Sequence, residues 1–429
     1  MLKFLLQKIK LKNKANFNFV LINTFTTLLR FGRSIVFMKF LNFTDLGLVT
    51  IVSTIMALFG IFQLGLLNGG YRIFSLKKSE EDEVTVNSVI YTYFLILFVL
   101  LLVLASVLKV FCIDFGLNFG LVVVALMFGV VTLISNWINN QLSAHMSFKS
   151  LNYLELISTL ISLPFILLIP KVGLWGALSV IFSTPLIYVF GAYIKHPYLL
   201  PTKLQFNIKA YRWILSYGFI PFLTGIFVQL HSQIERWGIV NSLNVEALGR
   251  FSLPLFYSTF FMMVPLSVNK LFFPPAIHNF TMGKFAEVKR ILKNYLVFNL
   301  IYALFAFVVT YFLLKPIVSA FLPNHLTAIH WIWYLYPGLI ALLFLQPLEI
   351  IYSASVRLFP VFWAYFASVF FMAALVLAGS WMFSFSLTMM AIIKSLVLIF
   401  IFSFLLINYA NNKRTIWKIN SKNEDWRHD

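Results

Sequence analysis

Residues 33–47 read RSIVFMKFLNFTDLG and residues 235–249 read ERWGIVNSLNVEALG. Laid over each other at an offset of 202 residues, they bring Asn42 onto Asn244, Leu46 onto Leu248 and Gly47 onto Gly249. Each pair falls at a hinge between an outgoing apolar stretch and a returning one. The offset is close to half of the 429-residue chain, which marks an internal duplication. Outward from these hinges, windows of about 20 apolar residues, enough to cross a bilayer core of roughly 30 Å, fall near 17–41, 46–71, 84–108, 117–142, 152–170, 175–194, 213–240, 251–272, 295–314, 329–352, 359–381 and 385–409. The second and seventh are long enough to tilt or to carry a short interfacial turn. Six crossings return a chain to its starting side, so a repeat joining span one to span seven gives two lobes of the same orientation. The expected fold is all-α integral membrane, with about 12 transmembrane helices in two pseudo-symmetric six-helix lobes at 15–200 and 201–409. Leu2, Leu5, Leu6 and Ile9 alternate with lysines, which predicts a basic interfacial helix over 1–14. A tail follows at 410–429.

The chain is 61% hydrophobic and yet carries 33 Lys and Arg against 14 Asp and Glu, for a net charge of +19. Most of the basic residues sit in alternate gaps between the spans. The opposite gaps hold only Lys39, Lys109, Lys171, Arg250 and Lys315, while Arg30, Arg33, Arg236 and Lys394 lie within spans. Basic loops stay inside, so both termini are expected to be cytoplasmic. Charge spread over short loops beside anionic lipid also argues against nucleic acid, which calls for a basic soluble module. The single Cys112 excludes an intramolecular disulfide and a cysteine metal cluster, and no metal site is expected. The Lys-rich start before an apolar run mimics a secretory signal. The run is too long and contains Arg30 and Arg33, so it reads as a retained first span.

No gap is long enough for a soluble domain. The largest lie around Lys195 to Arg212, around Pro274 to Lys293 and in the tail. No GxxxxGK[ST] motif marks an ATP site, and Gly65 and Gly69 read as a small-xxx-small packing step. The work is therefore expected between helices, with no catalytic residue and no enzyme.

Residues 28–75, LLRFGRSIVFMKFLNFTDLGLVTIVSTIMALFGIFQLGLLNGGYRIFS, resemble the opening of the polysaccharide exporters, the Wzx-type O-antigen flippases. In that family a Gly follows an acidic turn, and a second Gly-rich segment ends the second span in an Arg. Residues 229–255, QLHSQIERWGIVNSLNVEALGRFSLPL, are similar to the family's acidic-Arg pair and Gly-aromatic turn, with Glu235 for the commoner Asp and Phe251 for the usual Tyr. Residues 269–290, NKLFFPPAIHNFTMGKFAEVKR, match its apolar-Pro segment and basic loop. These degenerate motifs are shared with the MATE drug exporters and the lipid II flippases of the MOP superfamily. The resemblance implies two six-helix lobes alternating access to a central cavity in the bacterial inner membrane. Its substrate would be an undecaprenyl-pyrophosphate-linked oligosaccharide, an O-antigen or other polysaccharide repeat unit, moved from the cytoplasmic to the periplasmic leaflet. Polysaccharide polymerase machinery is a further candidate partner beside membrane lipid.

A charge inside the bilayer costs at least about 2.5–3.5 kcal/mol, which makes each one a candidate site residue. Arg30 and Arg33 share a helical face, and Gln229, Gln233 and Arg236 form a second polar stripe on span seven. With Lys394 of span twelve, these are the expected substrate-binding residues, since guanidinium groups grip phosphate oxygens bidentately. The plain alternative is that the arginines snorkel or pair with carboxylates. Glu235 falls opposite Arg33 in the repeat, so the two can pair as a gate; an i+4 contact with His231 is the other option. Glu155 and Glu349 are candidate proton-coupling residues or hydrogen-bonded carboxyls near an interface. Asn136, Asn139, Asn140 and Gln141 either meet sugar hydroxyls or mark the cytoplasmic end of span four.

No cofactor is expected beyond an H+ or Na+ gradient. The competing readings are a MATE-type multidrug or organic cation exporter, which calls for acidic rather than basic residues in the cavity, and an integral-membrane glycan polymerase. The polymerase needs an acid or base in a sizeable loop. A major-facilitator fold is excluded because Ser75 to Glu83 reads SLKKSEEDE where Gly-x-x-x-Asp-Arg is required.

Overall fold

The computed structural model describes residues 14–417 apart from 76–79, 111–118, 146, 202, 206, 356, 358 and 383–384. The interfacial helix expected before Lys14, Cys112 and the tail from 418 lie outside the described residues. All regular structure among those described is helical: α1 (Lys14–Phe40), α2 (Phe43–Phe62), α3 (Leu66–Ser75), α4 (Glu80–Val110), α5 (Phe119–Ala144), α6 (Phe148–Ser162), α7 (Ile169–Val172), α8 (Leu174–Lys195), α9 (Ile208–Ser242), α10 (Val245–Arg250), α11 (Ser252–Thr281), α12 (Phe285–Phe321), α13 (Ile329–Ala354), α14 (Phe359–Met382) and α15 (Leu387–Ile416). Among the described residues, 10 segments are long and apolar enough to cross a membrane. The other two expected spans, α1 and α9, form as unbroken helices of 27 and 35 residues.

The hinges of the repeat fold alike. Asn42 caps α2, its side chain accepting from the Asp45 N–H at 2.7 Å, and Asn244 caps α10, accepting from the Ala247 N–H at 2.7 Å. An Asn oxygen there satisfies one of the backbone donors that a helix start leaves open. The two capped helices then pack on each other. A Cβ at Gly47 would lie 2.0 Å from the carbonyl oxygen of Val245, and one at Gly249 would lie 1.7 Å from that of Phe43. Val245 is the counterpart of Phe43 at the offset of 202, so the contact is reciprocal. Arg250 closes its rim, 5.2 Å from the Phe43 ring centroid and 2.8 Å from Glu246 Oε1.

The chain divides into two compact units. One comprises Met1–Gln229 with Asn244–Ser252, the other Leu230–Leu243 with Leu253–Asp429. In the first, span two breaks between α2 and α3 where Leu64 and Gly65 take φ of 50° and 89°. Glycine enters that region without strain, which suits the second of the two positions. The small-residue step works as packing. Gly69 abuts the Ile214 carbonyl and Gly218 abuts the Gly65 carbonyl, so α3 and the start of α9 meet backbone to backbone. Phe59, Ile90, Phe94, Leu133, Trp137 and Ile214 fill the core beside them. Buried within it, Asn87 Oδ1 accepts from Trp137 Nε1 at 2.9 Å and Gln141 Nε2 at 2.7 Å, and its amide donates to the Leu199 carbonyl at 3.1 Å.

In the second unit α13 and α15 run parallel in a fixed register. Trp331 Nε1 donates to Thr388 Oγ1 at 3.1 Å, the Gly338 N–H to Ser395 Oγ at 2.9 Å and the Tyr352 hydroxyl to Asn408 Oδ1 at 2.8 Å. Partners 57 residues apart, as in the first two bonds, lie level with each other. The tract around Pro274 to Lys293, expected as a loop, is instead helix on both sides of a turn at Met282–Lys284, where Gly283 has φ of 70°. Proline removes a backbone donor from a helix, and a spanning helix tolerates it where neighbouring groups compensate; one turn further on, the Asn279 amide donates to the Pro275 carbonyl at 2.8 Å.

The α2–α10 contact has a direct test. Gly249→Ala forces a methyl into the Phe43 carbonyl, and overpacking of this kind costs about 1–3 kcal/mol. We expect a lower thermal unfolding midpoint in detergent for Gly249→Ala and Gly47→Ala. Gly225→Ala, at a position with no heavy atom within 4 Å of the added Cβ, is expected to leave it unchanged. Equal midpoints for all three would remove the steric account.

Candidate functional site

In the first unit, α1 packs along α6 and carries Arg30 and Arg33 three residues apart. Arg33 Nη1 donates to Thr184 Oγ1 of α8 at 3.3 Å, and Thr184 Oγ1 lies 3.0 Å from Ser162 Oγ at the end of α6. The Phe37 ring centroid is 6.0 Å from the guanidinium carbon. The Nε of Arg33 is buried with no hydrogen-bond partner. The ion pairs among the described residues are His145–Glu83, Arg250–Glu246, Arg290–Glu287 and Lys394–Glu235, so none of them engages Arg30 or Arg33. A half-buried guanidinium held by one hydroxyl, with a buried N–H still to be satisfied, is suited to an anion.

The other polar groups of this unit are more fully engaged. Gln229 donates through Nε2 to the Ala57 carbonyl, next to Gly60, where a Cβ would come within 2.8 Å of the Gln229 oxygen. Glu155 lies 3.5 Å from the Asn139 amide, and its backbone carbonyl accepts from the hydroxyls of Ser158 and Thr159. The polar end of span four is likewise used for structure. Asn140 donates to the Leu67 carbonyl at 3.3 Å and Gln141 is buried on Asn87.

In the second unit the ammonium of Lys394 on α15 sits on Glu235 Oε2 of α9. Within this unit the partner of Glu235 is Lys394, and not His231 of its own helix. The physical reason is position, since α15 brings a cation to the face of α9 from which the carboxylate projects. His231, one turn earlier, is buried with its Nε2 unpartnered, and Gln233 is buried with its Oε1 unpartnered. Arg236 is half-buried on the same helix. Glu349 on α13 accepts from the Tyr365 hydroxyl at 2.7 Å. It lies level with residue 406 of α15, about 18 Å along the helix from Lys394 at 1.5 Å per residue. Among the described residues no group of His, Cys, Asp and Glu is placed to hold a metal ion.

Sequence reasoning misses Thr184, Ser162 and Tyr365, each a lone hydroxyl in an apolar span. Such residues bear no mark of function until a charge is seen beside them.

No family model matches the chain. It is similar to the GDP-mannose transporter GONST3 of Arabidopsis thaliana, 34% identical over 89 residues, a stretch that spans only 20% of this chain and 21% of that protein. Solved structures align over most of it. The lipid II flippase MurJ in an inward closed conformation matches with a TM-score of 0.68 and 17% identity over 92% of this chain and 87% of that one. An inward-facing multidrug resistance MATE family transporter of the MOP superfamily matches with a TM-score of 0.65 and 11% identity over 91% and 94%. A mutant of the Vibrio cholerae MATE transporter VcmN gives 0.62 and 13% over 94% and 98%. At these identities the likeness is one of fold: this chain has the all-α membrane fold shared by the MATE transporters and the lipid II flippase.

Proposed function

We propose that the protein is a flippase for a lipid-linked oligosaccharide, carrying an undecaprenyl-pyrophosphate-linked repeat unit from the cytoplasmic to the periplasmic leaflet by alternating access. The observation that carries this reading is the contrast between bases and acids inside the spans. Glu235 is neutralised by Lys394, Glu349 is hydrogen-bonded by Tyr365 and Glu155 meets the Asn139 amide at 3.5 Å, whereas Arg33 keeps a buried donor unpartnered and neither it nor Arg30 has a carboxylate among the described residues. A pyrophosphate loses much of its hydration on entering a low-dielectric region. Fixed guanidinium groups offset that loss with charge and with bidentate hydrogen bonds. An exporter of organic cations needs the opposite arrangement, a carboxylate left open for the drug. The proposal places the protein in the bacterial inner membrane with cytoplasmic termini and an H+ or Na+ gradient as its energy source. The fold that it shares with the lipid II flippase supports a lipid-linked substrate.

Equilibrium binding of undecaprenyl pyrophosphate to the purified protein tests the reading. Hydrogen bonds to charged groups are worth about 1.5–3 kcal/mol, so Arg33→Ala is expected to weaken binding by roughly 10- to 150-fold, and Arg30→Ala in the same direction. Arg33→Lys keeps the charge but loses the fork and should fall between wild type and Arg33→Ala. A wild-type protein that ignores the lipid and binds hydrophobic cations would replace the flippase by the drug exporter.

A further inference from the structure

In the first unit Arg33 ends a chain of hydroxyls that runs across three helices. A guanidinium can only donate. Its Nη1 donates to Thr184 Oγ1 of α8 at 3.3 Å, and the Thr184 hydroxyl has two acceptors in reach, Ser162 Oγ at 3.0 Å and the Val180 carbonyl of its own helix at 3.1 Å. Ser162, fully buried at the end of α6, donates in turn to the Thr159 carbonyl at 2.7 Å. With its proton committed there, Ser162 meets Thr184 with a lone pair, and Thr184 meets Arg33 with its own. Every bond points from the guanidinium toward a backbone carbonyl, and bonds aligned in this way polarise one another.

This chain carries no charge. Helices α1 and α8 contain no Asp or Glu. The single acid of α6, Glu155, lies about two turns before Ser162, with its side chain against the Asn139 amide of α5 at 3.5 Å. A carboxylate in the place of Thr184 would give Arg33 a fixed partner, and an incoming phosphate would have to break that pair. A hydroxyl instead fixes one nitrogen of the fork and leaves the positive charge uncancelled, while the Nε N–H stays buried without a partner.

We propose that Thr184, oriented by Ser162, is the positioning residue of the Arg33 anion site: it holds the guanidinium through a neutral hydrogen bond, so that a phosphate-class headgroup meets a fork already fixed and still charged. Thr184 acts through Arg33 and does not itself touch the anion. Fixing a long side chain before the ligand arrives lowers the ordering cost of binding. The plain alternative is that Thr184 serves α8 alone. It precedes Pro185, and its hydroxyl reaches the Val180 carbonyl one turn back, a contact that Ser and Thr commonly make in helices. That contact uses the hydroxyl proton, whereas the bond to Arg33 uses the oxygen, so the two roles are compatible and an experiment can separate them. The inference rests on the flippase reading for the identity of the anion, and it adds the residues that set the geometry of the site.

The test is a double-mutant cycle read by equilibrium binding of undecaprenyl pyrophosphate to the full-length protein in detergent. It compares wild type, Thr184→Val, Arg33→Ala and the double variant, with thermal unfolding midpoints measured alongside. Valine keeps the shape of threonine and removes the hydroxyl. We expect Thr184→Val to weaken binding by about 3- to 10-fold, the effect of one lost hydrogen bond. In the Arg33→Ala background the same change should cost no more than about 2-fold, because a residue that acts through another is non-additive with it. Thr184→Ser, the conservative variant, should restore what Thr184→Val loses, and Thr184→Asp, which supplies a carboxylate, should bind more weakly than Thr184→Val. Should Thr184→Val lower the unfolding midpoint, Ser162→Ala carries the same cycle with Thr184 kept in place: weaker binding only where Arg33 is present supports the positioning role, and unchanged binding overturns it. Inorganic pyrophosphate in a parallel arm separates the sources of the anion. The same ranking of variants assigns recognition to the phosphate groups as such, and binding of the lipid alone assigns it to the lipid-linked headgroup, with the positioning role supported in both. An equal loss from Thr184→Val with and without Arg33 makes Thr184 a structural residue of α8 and overturns the proposal, leaving the flippase reading standing. Binding at the wild-type level by Thr184→Val or by Thr184→Asp overturns it as well. Absence of lipid binding by wild type overturns the flippase reading, and the positioning role with it.

Discussion

Hydrocarbon offers no water, and that constraint organises this protein at every level. Backbone N–H and C=O groups must be satisfied within their own segment, which leaves helices as the solution for a chain of this composition. Side chains obey the same rule one at a time. Asn87 is saturated by Trp137, Gln141 and a carbonyl, Glu349 is held by Tyr365, and Glu235 is held by Lys394. Arg33 is held differently, by the Thr184 hydroxyl, with no acid beside it among the described residues and with its Nε buried and open.

The same rule bears on the charges that the helices carry. Helix α1 holds Arg30 and Arg33, α9 holds Glu235 and Arg236, and both form as long unbroken helices of 27 and 35 residues. A charge within a span is costly, and here it is met locally, by Thr184 beside Arg33 and by Lys394 on Glu235.

Much of this was legible from residues. The hinge pair Asn42 and Asn244 signalled a duplication, and both side chains cap helices with the same 2.7 Å geometry. Gly65 and Gly69 signalled close helix approach, and both meet backbone. Periodicity marked the polar face of span seven. It could not say which of the other helices that face meets, because the partner of Glu235 lies 159 residues away on a helix whose own pattern is nearly uniform. Helical spacing encodes direction around one axis, and tertiary pairing needs a second coordinate that no single segment carries. The tract around Pro274 misled for a different reason. Two adjacent prolines ordinarily end a helix, but a backbone within a spanning segment has no water to turn to, and the helix continues through them to Thr281.

The crossing of α2 and α10 has a bearing on how this protein can change over time. Its closest atoms are main-chain carbonyls facing glycines, so no rotamer or side-chain volume adjusts the fit. Neighbouring substitutions can be absorbed by repacking, but at Gly47 and Gly249 a single added carbon has nowhere to go. The two positions form a mutational bottleneck: each hinge constrains the other, so neither is free to change there on its own.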